Sequence, residues 1–400
     1  MTTTPTLRES ADLLQSELVE LRRAVHREPE IGLELPLTQA KVLAALRGLP
    51  LELTLGEKLS SVTAVLRGGR PGPVVLLRGD MDALPVQETS GLPYASRFPG
   101  VMHACGHDLH VAGLVGAARL LAERRDELPG TVVFMFQPGE EGLAGARVML
   151  DEGLLEAAGT PPVAAYALHV TAATYPRGAV AGRPGPIMAA ADTLTVTLRG
   201  RGGHGSAPHS ALDPIPAACE AVLALQTMVT RRFDAFDPVV VTVGTLHAGT
   251  VNNVIPGDAF FEATVRSFSP QARDRVRAES LRLVRGIAEA HGLEADAVFT
   301  DVYPPTVNNV AEAEFAADVA RELLGPERVL TMPQPEAGAE DFSFVAERIP
   351  SAYFFLGACV PGLDPATAPD NHAPQAAFDD SVLADGATLL AELAIRRLAR

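Results

Sequence analysis

The chain has few cysteines, and their spacing argues against a fold held together by disulfides. The three are Cys105, Cys219 and Cys359, an odd number spread widely along the sequence. Small secreted domains use even, closely spaced sets, whereas a reducing compartment leaves scattered thiols free. We therefore expect a cytoplasmic protein without structural disulfides. Cys219 lies among apolar residues of a predicted helix, so we expect it in the core, and we expect Cys359 to be structural.

The chain also lacks long apolar runs and an excess of positive charge. No apolar stretch is long enough to span a bilayer, and the start, MTTTP, has neither the basic nor the apolar segment of a secretory leader. The formal net charge is −16, which disfavours nucleic acid and anionic membranes as partners. A small anionic substrate is not excluded, because a local site can be positive on an acidic protein.

The 400 residues are too many for one typical core, and the pattern along the chain predicts two domains. Apolar strands predicted at 74–77, 131–136 and 163–168 alternate with helices. This alternation predicts an α/β fold with a mostly parallel sheet. Polar clusters follow the three strands, namely Asp80 to Asp82, Glu140 to Glu141, and His169. Because binding crevices lie at the carboxyl ends of parallel strands, we expect these clusters to converge.

A stretch rich in glycine and proline at 181–186 predicts a domain boundary. The elements predicted after it follow the order β-α-β-β-α-β, which is the ferredoxin-like unit. We therefore expect a catalytic metal-binding domain formed by residues 1–182 and 304–400. Residues 183–303 would form an inserted ferredoxin-like domain that serves as a lid or for dimerisation.

The segment HACGHD at 103–108 carries the strongest signal for chemistry. A thiolate and an imidazole are good ligands for zinc-like ions. In an extended loop Cys105 and His107 would point the same way, and Gly106 would let the backbone bend close to an ion. The residues that follow predict a helix, so an ordinary helix start with polar residues is the alternative.

If the strand ends converge, the site gathers more donors than one tetrahedral ion needs. The candidates are Cys105, His107, Glu140, Glu141, His169 and, from a proline-flanked loop, His372. Such a set fits two ions about 3.5–4 Å apart that share a bridging water. One of the paired glutamates can bind metal while its neighbour takes a proton.

Several short motifs occur along the chain in a fixed order. They are RGDMDALP (78–85), HACGHD (103–108), QPGEEG (137–142), LH (168–169), GGHGS (202–206), NVIP (253–256), EDFS (340–343) and HAP (372–374). Together they resemble the dinuclear-metal amidohydrolases, a family that includes aminoacylases, hippurate hydrolases and auxin-conjugate hydrolases. The resemblance extends more distantly to carboxypeptidase G-like metallopeptidases and covers nearly the whole chain.

The resemblance implies roles for individual residues. The metal ligands it implies are Cys105, His107, Glu141, His169 and His372. Glu140 matches the general acid/base, and Asp82 matches a carboxylate that orients the metal cluster without binding it. Distant relatives carry a metal-binding His where this chain has Asp80, and we do not expect Asp80 to bind metal directly.

The inserted domain also contains positions that match the family. His204 matches a histidine that reaches the partner subunit's active site in a dimer. Asn253 and Arg266 match positions that bind the free carboxylate of the substrate. His26, His110, His247 and His291 we assign to packing or to the surface.

We predict a metal-dependent hydrolase that cleaves the amide bond of an N-acyl amino acid to a carboxylic acid and a free amino acid. A water shared by two divalent ions, Mn or Zn with Co or Ni as further candidates, attacks the carbonyl. Glu140 moves its proton to the leaving nitrogen, and His204 helps to stabilise the oxyanion. The expected assembly is a homodimer. The alternatives are a dipeptidase or carboxypeptidase and an inactive metal-binding homologue, against which the intact pair of Glu140 and Glu141 argues.

Overall fold

The computed structural model describes residues 5–400, so Met1–Thr4, on which the expectation of no secretory leader partly rests, lie outside the described residues. The α-helices within 5–400 are α1 (Leu7–His26), α2 (Pro36–Ala45), α3 (His107–Glu123), α4 (Glu140–Leu143), α5 (Gly145–Asp151), α6 (Pro214–Arg232), α7 (Pro270–Ala290), α8 (Val310–Leu324), α9 (Ser343–Ala346) and α10 (Leu383–Leu398). Among these helices, none has both the length and the apolar character needed to cross a membrane.

The strands within the same residues are β1 (Glu52–Leu55), β2 (Val62–Arg67), β3 (Arg70–Asp80), β4 (Pro129–Gln137), β5 (Ala164–Thr171), β6 (Val180–Gly182), β7 (Gly185–Met188), β8 (Ala191–Arg199), β9 (Gly203–His204), β10 (Val239–Ala248), β11 (Val254–Ile255), β12 (Asp258–Ser267), β13 (Glu294–Tyr303), β14 (Thr306–Asn308), β15 (Val329–Thr331) and β16 (Ser351–Gly357). Short 3₁₀ turns lie at Arg125–Glu127, Leu154–Glu156, Pro208–Ser210, Pro326–Arg328 and Asp380–Val382.

The first of two compact units comprises residues 5–185, Val307–Gln334 and Phe344–Arg400. Its sheet has the order β1-β2-β4-β3-β5-β16-β6-β15. The central strands β4, β3, β5 and β16 run parallel. The pairs β1–β2, β2–β4 and β16–β6 are antiparallel, and β15 at the edge is parallel to β6. The predicted α/β fold with a mostly parallel sheet is therefore confirmed. Both faces of β5 and β16 are buried, which explains their largely apolar sequences.

One face of this sheet carries the largest core, in which alternate strand residues pack with α1, α3, α8 and α10. Small residues let these helices approach closely. A Cβ placed on Gly116 of α3 would lie 2.8 Å from the Cβ of Ala387 in α10 and 2.9 Å from Cδ1 of Leu18 in α1. Since real Cβ atoms do not approach that closely, the absence of a side chain at this position sets the spacing of three helices.

The second unit comprises Pro186–Thr306 and Pro335–Ser343. Its four-stranded sheet has the order β10-β12-β8-β13, and every neighbouring pair is antiparallel. Along the chain its main elements are β8, α6, β10, β12, α7 and β13, the β-α-β-β-α-β order expected from the sequence. The two helices pack on one face of the sheet around a core that includes Leu194, Phe261 and Val276.

Two details differ from the sequence-based expectation. Residues 335–343 belong to the second unit and not to the catalytic domain, because the backbone N–H of Ala189 donates to the carbonyls of Glu336 (3.1 Å) and Gly338 (2.9 Å). The prediction of a buried Cys219 is wrong: this residue is exposed on α6 because the helix turns its other face to the sheet. Cys359 is buried, and all three cysteines are free.

Candidate metal centre

The site begins where the parallel strands end. β3 ends at Asp80, β4 ends at Gln137 three residues before Glu140, and β5 carries His169 near its end. Because these strands are parallel neighbours, their carboxyl ends lie at one edge of the sheet. The convergence expected from the sequence is present in the first unit.

Gly106 determines how the HACGHD segment enters the site. Its φ of +82° is one that other residues rarely adopt, and a Cβ at this position would lie 2.4 Å from Cγ2 of Val170 on β5. The backbone therefore turns tightly against β5, and His107 becomes the first residue of α3. Cys105 therefore lies in a turn and not in an extended loop, and the expected helix start is present.

The thiol of Cys105 lies at the centre of the donor cluster. Its Sγ is 3.4 Å from Nε2 of His169 and 3.2 Å from Nε2 of His372. The same His372 nitrogen is 3.3 Å from Oε1 of Glu141. Donor atoms of Cys105, His107 and His169 form one group whose members all lie within 4.8 Å of one another. His107, Glu140 and Glu141 form another such group.

The structure thus brings together the five candidate ligands in groups that share Cys105, His107 and Glu141. A thiolate, imidazoles and a carboxylate are donors that Zn²⁺ and related divalent ions accept. Overlapping groups of this kind are sufficient to hold two adjacent ions.

Hydrogen bonds on the far side of the imidazoles orient them for metal binding. His107 donates from Nδ1 to the carbonyl oxygen of Asp82 (2.9 Å), and His169 donates from Nδ1 to the carbonyl oxygen of Val170 (2.8 Å). Nε2 of His107 is buried and has no hydrogen-bond partner within residues 5–400. Such backbone contacts are typical of metal-binding histidines, because they fix the ring and leave Nε2 for the ion.

The pKa values of these histidines are linked to metal binding. Burial lowers the pKa of His169 well below its usual value, which keeps this imidazole neutral. Hydrogen bonds to Cys105 and Glu141 raise the pKa of His372 to about 10. An imidazole must be neutral to bind a metal ion, so an ion bound by His372 replaces a proton at neutral pH.

Asp82 bonds to two parts of the site, the backbone of Glu140 and Glu141 and the ring of His107. Its Oδ1 and Oδ2 accept hydrogen bonds from the backbone N–H groups of Glu140 and Glu141, each at 3.0 Å, and its carbonyl holds His107. The side chain is 1% exposed, so these contacts are shielded from water. The orienting role that the resemblance implies for Asp82 stays a prediction, and these contacts are its structural basis.

Two residues of the site were missed by the sequence analysis. His110, assigned to packing, donates from Nδ1 to Asp80, and its Nε2 accepts from the N–H of Val170 (2.8 Å). Asn371 accepts from the N–H of Ala172 (2.8 Å) and donates to the carbonyl of Val170 (3.1 Å). Both tie the donor cluster to β5. Their positions in the sequence could have indicated that they belong to the site. His110 follows His107 by three helical positions, and Asn371 directly precedes His372.

Asp80 is buried and engaged with other side chains. It forms an ion pair with Arg78 and accepts from His110, and its Oδ2 is 3.6 Å from Nε2 of His107. Burial opposes ionisation of Asp80, but Arg78, His107 and His110 together outweigh it and hold the pKa of this carboxyl well below its usual value. Donor atoms of Asp80, His107 and His110 also lie within 4.8 Å of one another, so an indirect role for Asp80 stays a prediction.

The remaining predicted residues lie in the second unit. His204 on β9 pairs with Val254 of β11, and the N–H of Gly205 donates to the carbonyl of Asn253 (2.8 Å), so His204 and Asn253 share one loop cluster. Nδ1 of His204 accepts from the N–H of Ser206 (3.1 Å), which leaves Nε2 as the donor nitrogen. Arg266 lies apart from this cluster on β12, half-buried.

The chain was compared with known families and proteins. The model of the Peptidase family M20/M25/M40 matches residues 76–396. The chain is 37% identical to "Thermostable carboxypeptidase 2" of Saccharolobus solfataricus over 98% of both chains. It is 36% identical to "N-acetylcysteine deacetylase" of Bacillus subtilis over 95% of this chain and 96% of the relative.

A solved structure also indicates the M20 family. The crystal structure of the Bacillus subtilis YXEP protein, a dinuclear metal binding peptidase from the M20 family, superposes with a TM-score of 0.82. It is 32% identical and covers 97% of this chain and 99% of its own. The resemblance predicted from the motifs is confirmed, as is the prediction of an enzyme that cleaves amide bonds. The chain is therefore a hydrolase that belongs to the Peptidase family M20/M25/M40.

Proposed function

We propose that this enzyme hydrolyses the amide bond of small N-acyl amino acids and releases a carboxylic acid and a free amino acid. The observation that carries the proposal is the cluster of candidate metal ligands, in which Cys105, His107 and His169 are buried, with the buried Glu140 beside it. The relative that deacetylates N-acetylcysteine supports this substrate class.

The proposed ligands of two divalent ions, Mn or Zn with Co or Ni as further candidates, are Cys105, His107, Glu141, His169 and His372. When bound, the ions polarise the amide carbonyl and lower the pKa of a water molecule. Similarity to the dinuclear YXEP protein supports two ions. Asp82 keeps the backbone of the Glu140 turn and the ring of His107 in fixed positions, so the donors need little rearrangement.

Glu140 is proposed as the general acid/base. Its side chain is 6% exposed, and a carboxylate oxygen lies within 4.8 Å of donor atoms of His107 and Glu141. From this position Glu140 accepts a proton from the attacking water and delivers it to the leaving nitrogen. Glu141 takes the other role, that of a ligand, because its Oε1 points to Nε2 of His372.

The second unit is proposed to contribute to substrate binding and to the oxyanion. His204 can donate from Nε2 to the developing oxyanion, and Asn253 and Arg266 can bind the substrate carboxylate. We propose that His204 does so in a cytoplasmic homodimer, across the subunit interface. The strand β10 supports dimer formation, because it lies at an edge of the sheet with Val240 and Leu246 exposed.

A second candidate is a carboxypeptidase or dipeptidase that uses the same residues on a peptide bond. The 37% identity to a thermostable carboxypeptidase favours it. The two candidates differ in the acyl side of the substrate, which is a simple acyl group in one and an amino acid in the other.

A substrate panel distinguishes the candidates. The purified enzyme, reconstituted with Mn²⁺ or Zn²⁺, is assayed with N-acetyl, N-benzoyl and long-chain N-acyl amino acids beside dipeptides of the same C-terminal residues. We expect the highest kcat/KM on an N-acyl amino acid. Higher kcat/KM on every matched dipeptide would favour the peptidase, and inactivity on all of them with both metals bound would contradict both.

A further inference from the structure

The first unit contains a cavity of about 390 Å³ between α8 and the strands β6, β15 and β16. Its inner wall is apolar and includes buried side chains of Val180, Ala316 and Phe354. The volume falls in the range of small-molecule sites, about 300–1,000 Å³. The cavity is therefore large enough for a compact organic ligand.

One arginine that lines this cavity has guanidinium nitrogens without a hydrogen-bond acceptor, which favours an anionic ligand. Arg183 lines it, and the Nε and Nη1 nitrogens of its guanidinium are buried without a hydrogen-bond partner among residues 5–400. Burying a charged donor without an acceptor is unfavourable, because the lost hydration is not replaced. A ligand that supplies an anionic acceptor would remove this cost.

The backbone that carries Arg183 is held in place. Asn308 donates from Nδ2 to the carbonyl of Arg183 (2.9 Å) and exchanges two hydrogen bonds with the backbone of Tyr353 on β16 (2.7 and 2.8 Å). Asn308 is only 3% exposed, so these bonds are protected from water. The arginine is thus attached to a fixed framework.

The other charged residues that line the cavity limit the ligand's charge. Arg321 is paired with Asp318 (2.7 Å), and Glu314 lies exposed in the same helix. The two carboxylates would repel a polyanion such as a phosphate ester. One unpaired guanidinium with apolar walls instead favours a small molecule with a single carboxylate, the anion that guanidinium groups bind well.

This cavity is separate from the candidate metal centre. None of the candidate metal ligands is among the described residues that line it. Phe354 packs in the core cluster that contains α8, whereas the rings of the alternate residues Tyr353 and Phe355 lie 6.2 and 6.0 Å from the His169 ring. Successive strand residues point to opposite faces, so the part of the wall formed by Ala352 and Phe354 faces away from His169. Tyr353 also lines the cavity and is the residue that the cavity and the surroundings of His169 share.

We propose that this cavity binds a small organic carboxylate and that Arg183 anchors its carboxylate group. Two sources share this chemistry, a free amino acid and a simple carboxylic acid. The presence or absence of an α-ammonium group distinguishes them, since Glu314 offers a partner only to the amino acid.

The test uses the fact that the chain contains no tryptophan. Leu330 lines the cavity and is 36% exposed, so Leu330→Trp places one fluorophore there. The metal-loaded variant is titrated with L-leucine, with 4-methylpentanoate, which lacks the ammonium group, and with uncharged 4-methylpentanamide. We expect a saturable change of fluorescence with at least one carboxylate and none with the amide.

Adding Arg183→Met should weaken this binding by about 10- to 100-fold, the loss expected for a hydrogen bond to a charged group. Adding Arg321→Met instead is a control at an arginine already paired with Asp318. It should leave the affinity for the carboxylate within about threefold of that of the Leu330→Trp protein. Equal affinity with and without Arg183, or an equal response to the amide, would overturn the proposal.

Calorimetry covers the case of a fluorophore that does not respond. Titration of the metal-loaded wild type should detect one more carboxylate site per chain than titration of Arg183→Met. The same number of sites in both proteins would mean that the cavity holds only water.

Discussion

The two units hold their functional side chains in different ways. In the first unit, Asp82 and His107 are no more than 1% exposed, and backbone hydrogen bonds fix both. In the second unit, His204 is exposed, and its side chain bonds to Ser206 of its own loop. The chain alone thus holds His107, a proposed metal ligand, in a fixed position, whereas the proposed oxyanion donor His204 would gain its function only when substrate and partner are present.

The largest effect is expected from Glu140→Gln. The amide cannot take up the proton of the attacking water, so kcat should fall by at least about 10²–10⁴-fold while metal content stays near that of the wild type. Steady-state kinetics and metal analysis measure the two quantities. Glu156→Gln, an exposed control, should change neither. Loss of metal from Glu140→Gln with normal binding in Glu141→Gln would show that the two roles are exchanged.

His204→Ala should reduce kcat by about a hundredfold, the typical loss of one oxyanion donor, and should leave metal content unchanged. His209→Ala serves as a control in the same loop, because His209 is also exposed. Mixing the inactive variants His204→Ala and Glu140→Gln tests the dimer. If His204 acts across the interface, heterodimers contain one complete site and activity should partly return. Proven heterodimers without activity would contradict action across the interface.

Asp82→Asn should weaken metal binding or activity by about 10- to 100-fold, because an amide has only one oxygen for the N–H groups of Glu140 and Glu141. The dissociation constant for Mn²⁺, measured after chelation and dialysis, checks this. Asp151→Asn, an exposed substitution of the same type, should leave it unchanged. If both variants bind Mn²⁺ as tightly as the wild type, the donors do not depend on Asp82.

Alanine substitutions at two glycines of α3 should change the free energy of unfolding in opposite directions. Gly116→Ala adds a methyl group against Ala387 and Leu18 and should lower the free energy of unfolding by about 1–3 kcal/mol. At Gly113 an added Cβ would have no described atom within 4 Å other than those of its chain neighbours and its own helix backbone, so Gly113→Ala should raise the free energy of unfolding by about 0.5–1 kcal/mol. Urea denaturation measures both. Equal effects would show that α3 is not packed as closely as the structure indicates.

The smallest effect concerns the pH dependence of stability. Burial opposes ionisation of Glu88, but hydrogen bonds from His26, Ser90 and Ser96 outweigh it and lower the pKa of Glu88 from 4.5 to about 2. A lowered pKa stabilises the fold above the unfolded value, and this contribution is lost as pH falls from 4.5 towards 2. The difference in unfolding free energy between wild type and Glu88→Gln should shrink over that range. A constant difference would contradict the proposed hydrogen bonds.

The sequence predicted the parts of the site that depend on strand position. Glu140 and His169 follow or end apolar strands, and parallel pairing is enough to bring such residues to one edge. It did not predict the bonding of His110 and Asn371. Their partners are backbone groups of β5, which come within reach only after packing is complete.

Two local features of the structure could not be read from the sequence. The conformation of Cys105 and His107 depends on a left-handed turn at Gly106, which is required by the nearness of Val170, a residue distant in sequence. The exposure of Cys219 depends on which face of α6 meets the sheet. Because apolar residues occur around much of that helix, its sequence alone does not identify the buried face.

The first unit is discontinuous, and this has a consequence for its synthesis. His372 belongs to the third segment of the unit, which is translated after the whole of the second unit. The second unit has its own core, so it can fold on the ribosome while the donor cluster still lacks one imidazole. We expect the nascent protein to acquire its full metal affinity late, only after the 344–400 segment has emerged and docked. A chain stalled before that point would expose Cys105 to cellular oxidants without the protection of a bound ion.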